Sequence, residues 1–150
     1  MSAESVCEFC EYSVELARVS TDFSNEAIAY YQASVFKPEL ITQRLDQLVA
    51  LWSFGDGAKT GILYGTPPEG GVATIVWLLV DPKFQGEGIG AQLYQEAVLR
   101  YKEMGAHKIK LNTPSERAAR FYERVGMKLE GFHPAHWWKA DSWSMGMELE

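Results

Sequence analysis

Three glycines at alternate positions, Gly86, Gly88 and Gly90, stand in the run Gln85-Gly86-Glu87-Gly88-Ile89-Gly90. Residues without a Cβ reach positive φ and let a ligand approach the main chain closely. A segment of helical period begins at Ile89. The unpaired N–H groups of its first turn and the positive end of its dipole therefore face into the glycine run, which suits a pyrophosphate. Other reactive types are thinly spread. Cys7 and Cys10 form one Cys-x-x-Cys, with no second pair and no nearby His to complete a zinc site, so two unbridged thiols in a reducing compartment are expected. His133 and His136 lie either side of Pro134-Ala135 with no evident third ligand. They read as loop residues, and no metal is expected.

The glycine run needs a strand before it and a helix after it. Val72–Val80 is rich in β-branched and large apolar residues and carries no charge, the pattern of a strand covered on both faces. Asp81-Pro82 stops it, because Pro82 has no N–H to give a ladder. Ile89, Leu93, Ala97, Val98, Tyr101 and Met104 then recur at helical spacing, with Gly105 as the C-terminal cap.

Upstream, residues 12–19 (YSVELARV) alternate apolar and polar types and predict an opening strand. Residues 23–36, capped by Thr21-Asp22 and broken by Lys37-Pro38, predict a helix, and residues 39–49 predict another. Residues 50–54 and 59–64 flank Gly55-Asp56-Gly57 as a hairpin, and residues 66–71 turn the chain into the 72–80 strand. Downstream, residues 107–111 alternate and predict a strand joined to 72–80 by a right-handed parallel crossover. Thr113-Pro114-Ser115-Glu116 predicts the next helix, with Thr113 as N-cap, Pro114 at the first helical position and Gly126 at the far end. Residues 143–149 alternate as a final strand.

Neither common nucleotide loop fits. The spacing is Gly-x-Gly-x-Gly rather than the dinucleotide Gly-x-Gly-x-x-Gly, and no Gly-Lys-Ser/Thr follows. The arrangement Val80-x-Pro82-x-x-Gln85-Gly86-x-Gly88-Ile89-Gly90 instead resembles the acetyl-CoA signature of the GNAT N-acetyltransferase superfamily. Residues 115–127 (SERAARFYERVGM) resemble that superfamily's second signature, and the order and separation of the two match over about residues 72–131. The resemblance implies an α/β fold with a central mixed sheet and helices on both faces, and one N-acetyltransferase domain over residues 1–150. It also implies direct transfer of acetyl from acetyl-CoA to a primary amine in a ternary complex, without metal.

By resemblance, Leu78 and Val80 offer main-chain groups to the pantetheine arm where the central strands splay apart beside a β-bulge. Gln85, Gly86, Gly88, Ile89 and Gly90 wrap the pyrophosphate, Ser115, where the family usually has Asn, is a further cofactor-binding candidate, and Tyr122 lies beside the CoA sulfur. Ala118 and Phe121 pack. Acyl transfer to an amine develops an oxyanion that aimed main-chain N–H groups stabilise, and the Val80 amide is the candidate donor. The departing thiolate needs a proton, and a phenol with a pKa near ~10 holds one at neutral pH, so Tyr122 is the candidate general acid. For a general base the sequence offers a water chain or one of Asp81, Glu130, His133 and His136. Met127 stands where the family usually has Phe, and Glu87 where a Lys or Arg is frequent. A carboxylate at Glu87 repels a pyrophosphate, so binding leans on main-chain N–H groups and on Lys83, Arg117 or Arg120.

At 150 residues, with 47% hydrophobic and 23% charged types, the chain reads as a globular domain. Its net charge is −6, and residues 1–50 hold eight acids against three bases. That balance argues against a sequence-independent grip on nucleic acid. The acidic part either steers cationic amines or only solvates a face. No basic stretch followed by an apolar core opens the chain, and no apolar run nears the ~20 residues of a membrane helix, so a cytoplasmic protein without a membrane partner is expected. A homodimer is a family habit.

Two readings compete with a small-molecule amine as acceptor. A protein Lys or N-terminus needs an open groove where a small amine needs a closed aromatic pocket. A CoA-binding module without catalysis fits the altered Glu87 and Ser115. Tyr30, Tyr31 and Phe36 either pack the core or line such a pocket, and Trp137, Trp138 and Trp143 cover the sheet edge or the acceptor cleft.

Overall fold

The computed structural model describes residues 1–150. The chain opens on a helix, α1 (Ala3–Ser20), and not on the strand expected over residues 12–19. Ser2 caps it by accepting from the Ser5 N–H, and Val6, Phe9, Cys10, Ser13, Val14 and Ala17 are buried at the three- and four-residue spacing of one helical stripe. The alternation at residues 12–16 is a short slice of that stripe. α2 (Asn25–Ser34) follows, capped by Ser24 and not by Thr21-Asp22. α3 (Pro38–Gln43) is half the expected length, because the apolar face read over residues 39–49 continues past the helix into a strand.

That strand is β1 (Val49–Gly55), which pairs antiparallel with β2 (Ala58–Gly65) around the expected turn. β3 (Val72–Val80), α4 (Ile89–Glu103) and β4 (Lys108–Thr113) form the expected strand–helix–strand unit, with β3 and β4 parallel. α5 (Glu116–Arg124) begins two residues later than expected. Its N-cap is Ser115, whose hydroxyl accepts from the Ala118 N–H at 3.1 Å. Thr113 is the last residue of β4, and its hydroxyl accepts from the Ser115 N–H at 3.3 Å. β5 (Lys128–His133), which sequence patterning did not indicate, and β6 (Ser142–Glu148) complete a six-stranded sheet of order β1-β2-β3-β4-β6-β5.

One apolar layer lies between the sheet and α1–α3, built on Phe9, Leu16, Phe36, Ile62, Tyr64 and Trp77. The other lies between the sheet and α4–α5, built on Leu63, Ile75, Tyr94, Tyr101, Ile109 and Tyr122. Helices thus cover both faces of a mixed sheet, as the resemblance implies. No helix is long and apolar enough to cross a membrane.

Candidate active site

The sheet opens in its middle. β3 and β4 pair only through Val72↔Lys108, Ala73↔Ile109 and Thr74↔Lys110, so beyond residue 74 the two strands part. On its other side β3 stays paired with β2 from Gly61↔Val80 to Tyr64↔Trp77, and then the register shifts so that Gly65 faces Ile75. Val76 is the extra residue of a β-bulge. Its effect is visible in the layers: Ala73 and Ile75 face α4–α5, Val76 and Trp77 face α1–α3, and Leu78 faces α4–α5 again. Strict alternation would have kept Trp77 in the layer of Ile75.

Main-chain direction follows from the same register. The Asp81 N–H donates to the Thr60 carbonyl at 2.8 Å. In an antiparallel pair the bonded positions alternate, so Leu79 and Trp77 also bond to β2, and the N–H and C=O groups of Leu78 and Val80 point into the gap. The Gln85 side chain reaches one of them, its Nε2 donating to the Val80 carbonyl at 3.3 Å.

Past a 3-10 turn over Pro82–Phe84 the chain enters the glycine run. Gly86 and Gly88 sit at φ 85° and 79°, and a Cβ at either would meet nothing within 4 Å. Gly88 is the N-cap of α4 and supplies no side-chain cap, so the N–H groups of the helix's first turn are left for an outside partner. Gly90 has a different task. A Cβ there would lie 3.3 Å from Cζ of Phe121 and 3.7 Å from Cγ2 of Val80, so this position lets α4, α5 and β3 close together at the mouth of the gap. The two signature segments, far apart in the chain, meet here.

Tyr122 follows Phe121 on α5, with ring centroids 5.2 Å apart, and is buried in the α4–α5 layer. Burial pushes its phenol above the usual tyrosine range, with a smaller push from Tyr94. The hydroxyls of Tyr94 and Tyr101 bond to Met147 Sδ (3.3 Å) and the Thr66 carbonyl (2.9 Å), whereas that of Tyr122 bonds to no protein group.

The charged candidates sort out plainly. Arg120 is committed to Glu116 at 3.0 Å, whereas Lys83 and Arg117 form no ion pair. Glu87 is exposed in the glycine run. Among the candidate bases, Glu130 is held by Lys108 Nζ at 2.7 Å and Asp81 accepts from the Lys83 N–H at 2.9 Å. His133 and His136 stack on one another at 4.8 Å.

The α1–α3 layer beside the gap is rich in aromatic side chains. Trp77 packs against Tyr31 at 4.8 Å and Phe36 at 4.4 Å, and its buried Nε1 has no hydrogen-bond partner. Trp138, in the segment between β5 and β6, lies 5.3 Å from Tyr30 and 5.7 Å from Tyr31. Thus Phe36 is core and Tyr30 is half exposed, while Trp143 packs on Phe132 at the far strands. The sequence marked the Trp pair, and the resemblance implied a β-bulge beside Leu78 and Val80, but nothing in the sequence places that bulge at Val76 or signals the contact between Trp138 and α2.

A parted parallel pair, a bulge and a glycine turn at a helix N-terminus meet here, the arrangement that the resemblance implies for an acyl-CoA site. The Acetyltransferase (GNAT) family profile matches residues 18–127, and the chain belongs to that family. No curated protein matches the sequence. Among solved structures, an acetyltransferase of the GNAT family from Streptococcus pneumoniae is 19% identical, with TM-score 0.78 over 100% of this chain and 96% of its own. The PaiA N-acetyltransferase of Thermoplasma acidophilum, in complex with coenzyme A, is 21% identical, with TM-score 0.74 over 95% and 94%. The ribosomal-protein-S18-alanine N-acetyltransferase of Escherichia coli is 14% identical, with TM-score 0.69 over 94% and 88%. At these identities the likeness is one of fold.

Proposed function

We propose that this chain transfers the acetyl group of acetyl-CoA to a small primary amine, with Val80 and Tyr122 as its catalytic residues. The observation that carries the reading is the pair of main-chain N–H groups at Leu78 and Val80, free of β2 and aimed into the parted strands beside the glycine turn. The coenzyme supplies a thioester, whose carbonyl carbon is attacked by the amine nitrogen and whose C–S bond then breaks with its electron pair on sulfur.

The residues of the chain divide the remaining work. Gly86, Gly88, Ile89 and Gly90 present main-chain N–H groups to the diphosphate, Gln85 supports the turn through its bond to Val80, and Lys83 and Arg117 supply free positive charge. The Leu78 main chain holds the pantetheine arm. The Val80 N–H donates to the carbonyl oxygen as it gains charge. The Tyr122 phenol gives its proton to the leaving sulfur and recovers one from water, which also takes the proton lost by the amine. Ser115 acts one step back, capping the helix that carries Tyr122. The contact of Trp138 with Tyr30 and Tyr31 narrows the far side of the gap, which favours a small acceptor over a protein chain.

Tyr122→Phe tests the assignment cleanly, because the lost hydroxyl has no protein partner and the ring's packing is kept. Steady-state kinetics should show kcat reduced about 100-fold or more with the KM for acetyl-CoA nearly unchanged. Unchanged turnover would remove Tyr122 from the mechanism. The sign of the pH effect follows from the raised phenol: the acid form persists above the usual tyrosine pKa of ~10. The wild-type kcat profile should therefore stay flat or rise through pH ~10, and a fall near pH 7 would name a different acid.

A further inference from the structure

The segment between β5 and β6 holds three L-residues in the left-handed region, Ala135, Trp138 and Lys139. Strain of this kind persists only where contacts over-determine it, and it gathers at functional sites. Here local hydrogen bonds, Ala135 N–H to Asp141 Oδ1 at 3.0 Å and His136 N–H to the Ala140 carbonyl at 2.7 Å, are joined by aromatic contacts: Trp138 against Tyr30 and Tyr31, with Trp137 beside it at 6.0 Å. The position of this segment matters. β6 begins opposite the C-terminal end of β4, Thr113↔Trp143, and β4 runs parallel to β3, so the segment stands at the end where β3 and β4 part. By reaching α2, which is tied to β3 through Tyr31 and Trp77, Trp138 spans the gap on the face opposite the glycine turn.

Resting on the transferase reading above, we infer that Trp138 is the specificity residue of the acceptor side and that it selects a primary amine carried on an aromatic ring. Three observations point to that chemistry. Tyr30 and Trp137 are 50% and 61% exposed, so large ring faces remain open in a wall already made of rings. Such faces stack on an aromatic body and attract an ammonium. Glu26 lies one helical turn before Tyr30 on α2 and favours one positive charge. Lys139, next to Trp138, opposes a second, which disfavours a polyamine.

The test compares phenethylamine, spermidine and a short peptide with a free N-terminus as acceptors for the wild type, Trp138→Ala and Trp138→Phe. Phenethylamine should show the highest kcat/KM. Trp138→Ala should raise its KM about tenfold with the KM for acetyl-CoA unchanged, and Trp138→Phe should restore most of the loss. A better rate with spermidine or the peptide, an unchanged KM in Trp138→Ala, or equal losses in both variants would overturn the inference. Calorimetry of phenethylamine binding to the wild-type protein with CoA present separates the two readings. Binding that Trp138→Ala abolishes upholds the wall even if no amine is acetylated, a result that sinks the transferase reading. Absence of binding overturns the wall even if spermidine is acetylated.

Discussion

Two of the turns that carry residues at positive φ are built from opposite materials. Between β3 and α4 the positions are Gly86 and Gly88, at φ 85° and 79°, with open space where a Cβ would be. Between β5 and β6 they are Ala135, Trp138 and Lys139, at φ 46°, 50° and 66°. Glycine takes this conformation freely, whereas an L-residue gives up roughly 1–2 kcal/mol. The first turn is therefore shaped by its own sequence and stands ready before any ligand arrives. The second is held by the packing of the Trp138 ring on α2 together with local hydrogen bonds, among them His136 N–H to the Ala140 carbonyl at 2.7 Å and Ala135 N–H to Asp141 at 3.0 Å.

The contrast can be broken by exchanging the materials. Gly88→Ala should have the largest effect, raising the KM for acetyl-CoA about tenfold, because the turn is strained and a methyl group enters the space in front of the helix N-terminus. An unchanged KM would mean that this turn does not hold the diphosphate. Glu87→Lys leaves the backbone alone and reverses the charge beside the same site. Acetyl-CoA affinity should rise about two- to fivefold in titration at low salt, and the gain should fade as salt screens it. The smallest effect belongs to the other turn. Lys139→Gly relieves one left-handed residue but adds chain entropy to the unfolded state, so thermal unfolding should move up by ~1–3 °C. A clear loss of stability would show that the Lys139 side chain holds the segment and that the backbone is not what is strained.

This difference also decides what could be read from the chain. The β1–β2 hairpin, β3, the glycine turn, α4 and β4 each rest on local chemistry: turn glycines, an uncharged β-branched run, a helical apolar stripe. The gathering of the two signature segments around the gap, a contact between distant parts of the chain, is legible only through the family resemblance. What failed depended on partners far along the chain. Tyr12, Val14 and Leu16 alternate like a strand, yet Val6 and Phe9 extend them into a helical stripe that the sheet buries. The face over residues 39–49 is shared by a helix and a strand. Thr113 has capping chemistry but is consumed by pairing with β6, which leaves the cap to Ser115. The exposed edge strand β5 lacks a buried face to give it alternation, and the bulge that the resemblance implies falls on Val76, an ordinary strand residue whose extra place appears only against β2.

The parting of β3 from β4 gives a strand in the middle of the sheet the solvent behaviour of one at its rim. Amide hydrogen exchange along β3 should alternate: Trp77 and Leu79, bonded to β2, exchange slowly, while Leu78 and Val80 exchange quickly although their neighbours are among the most protected in the molecule. Adding coenzyme A should slow those two positions and flatten the alternation.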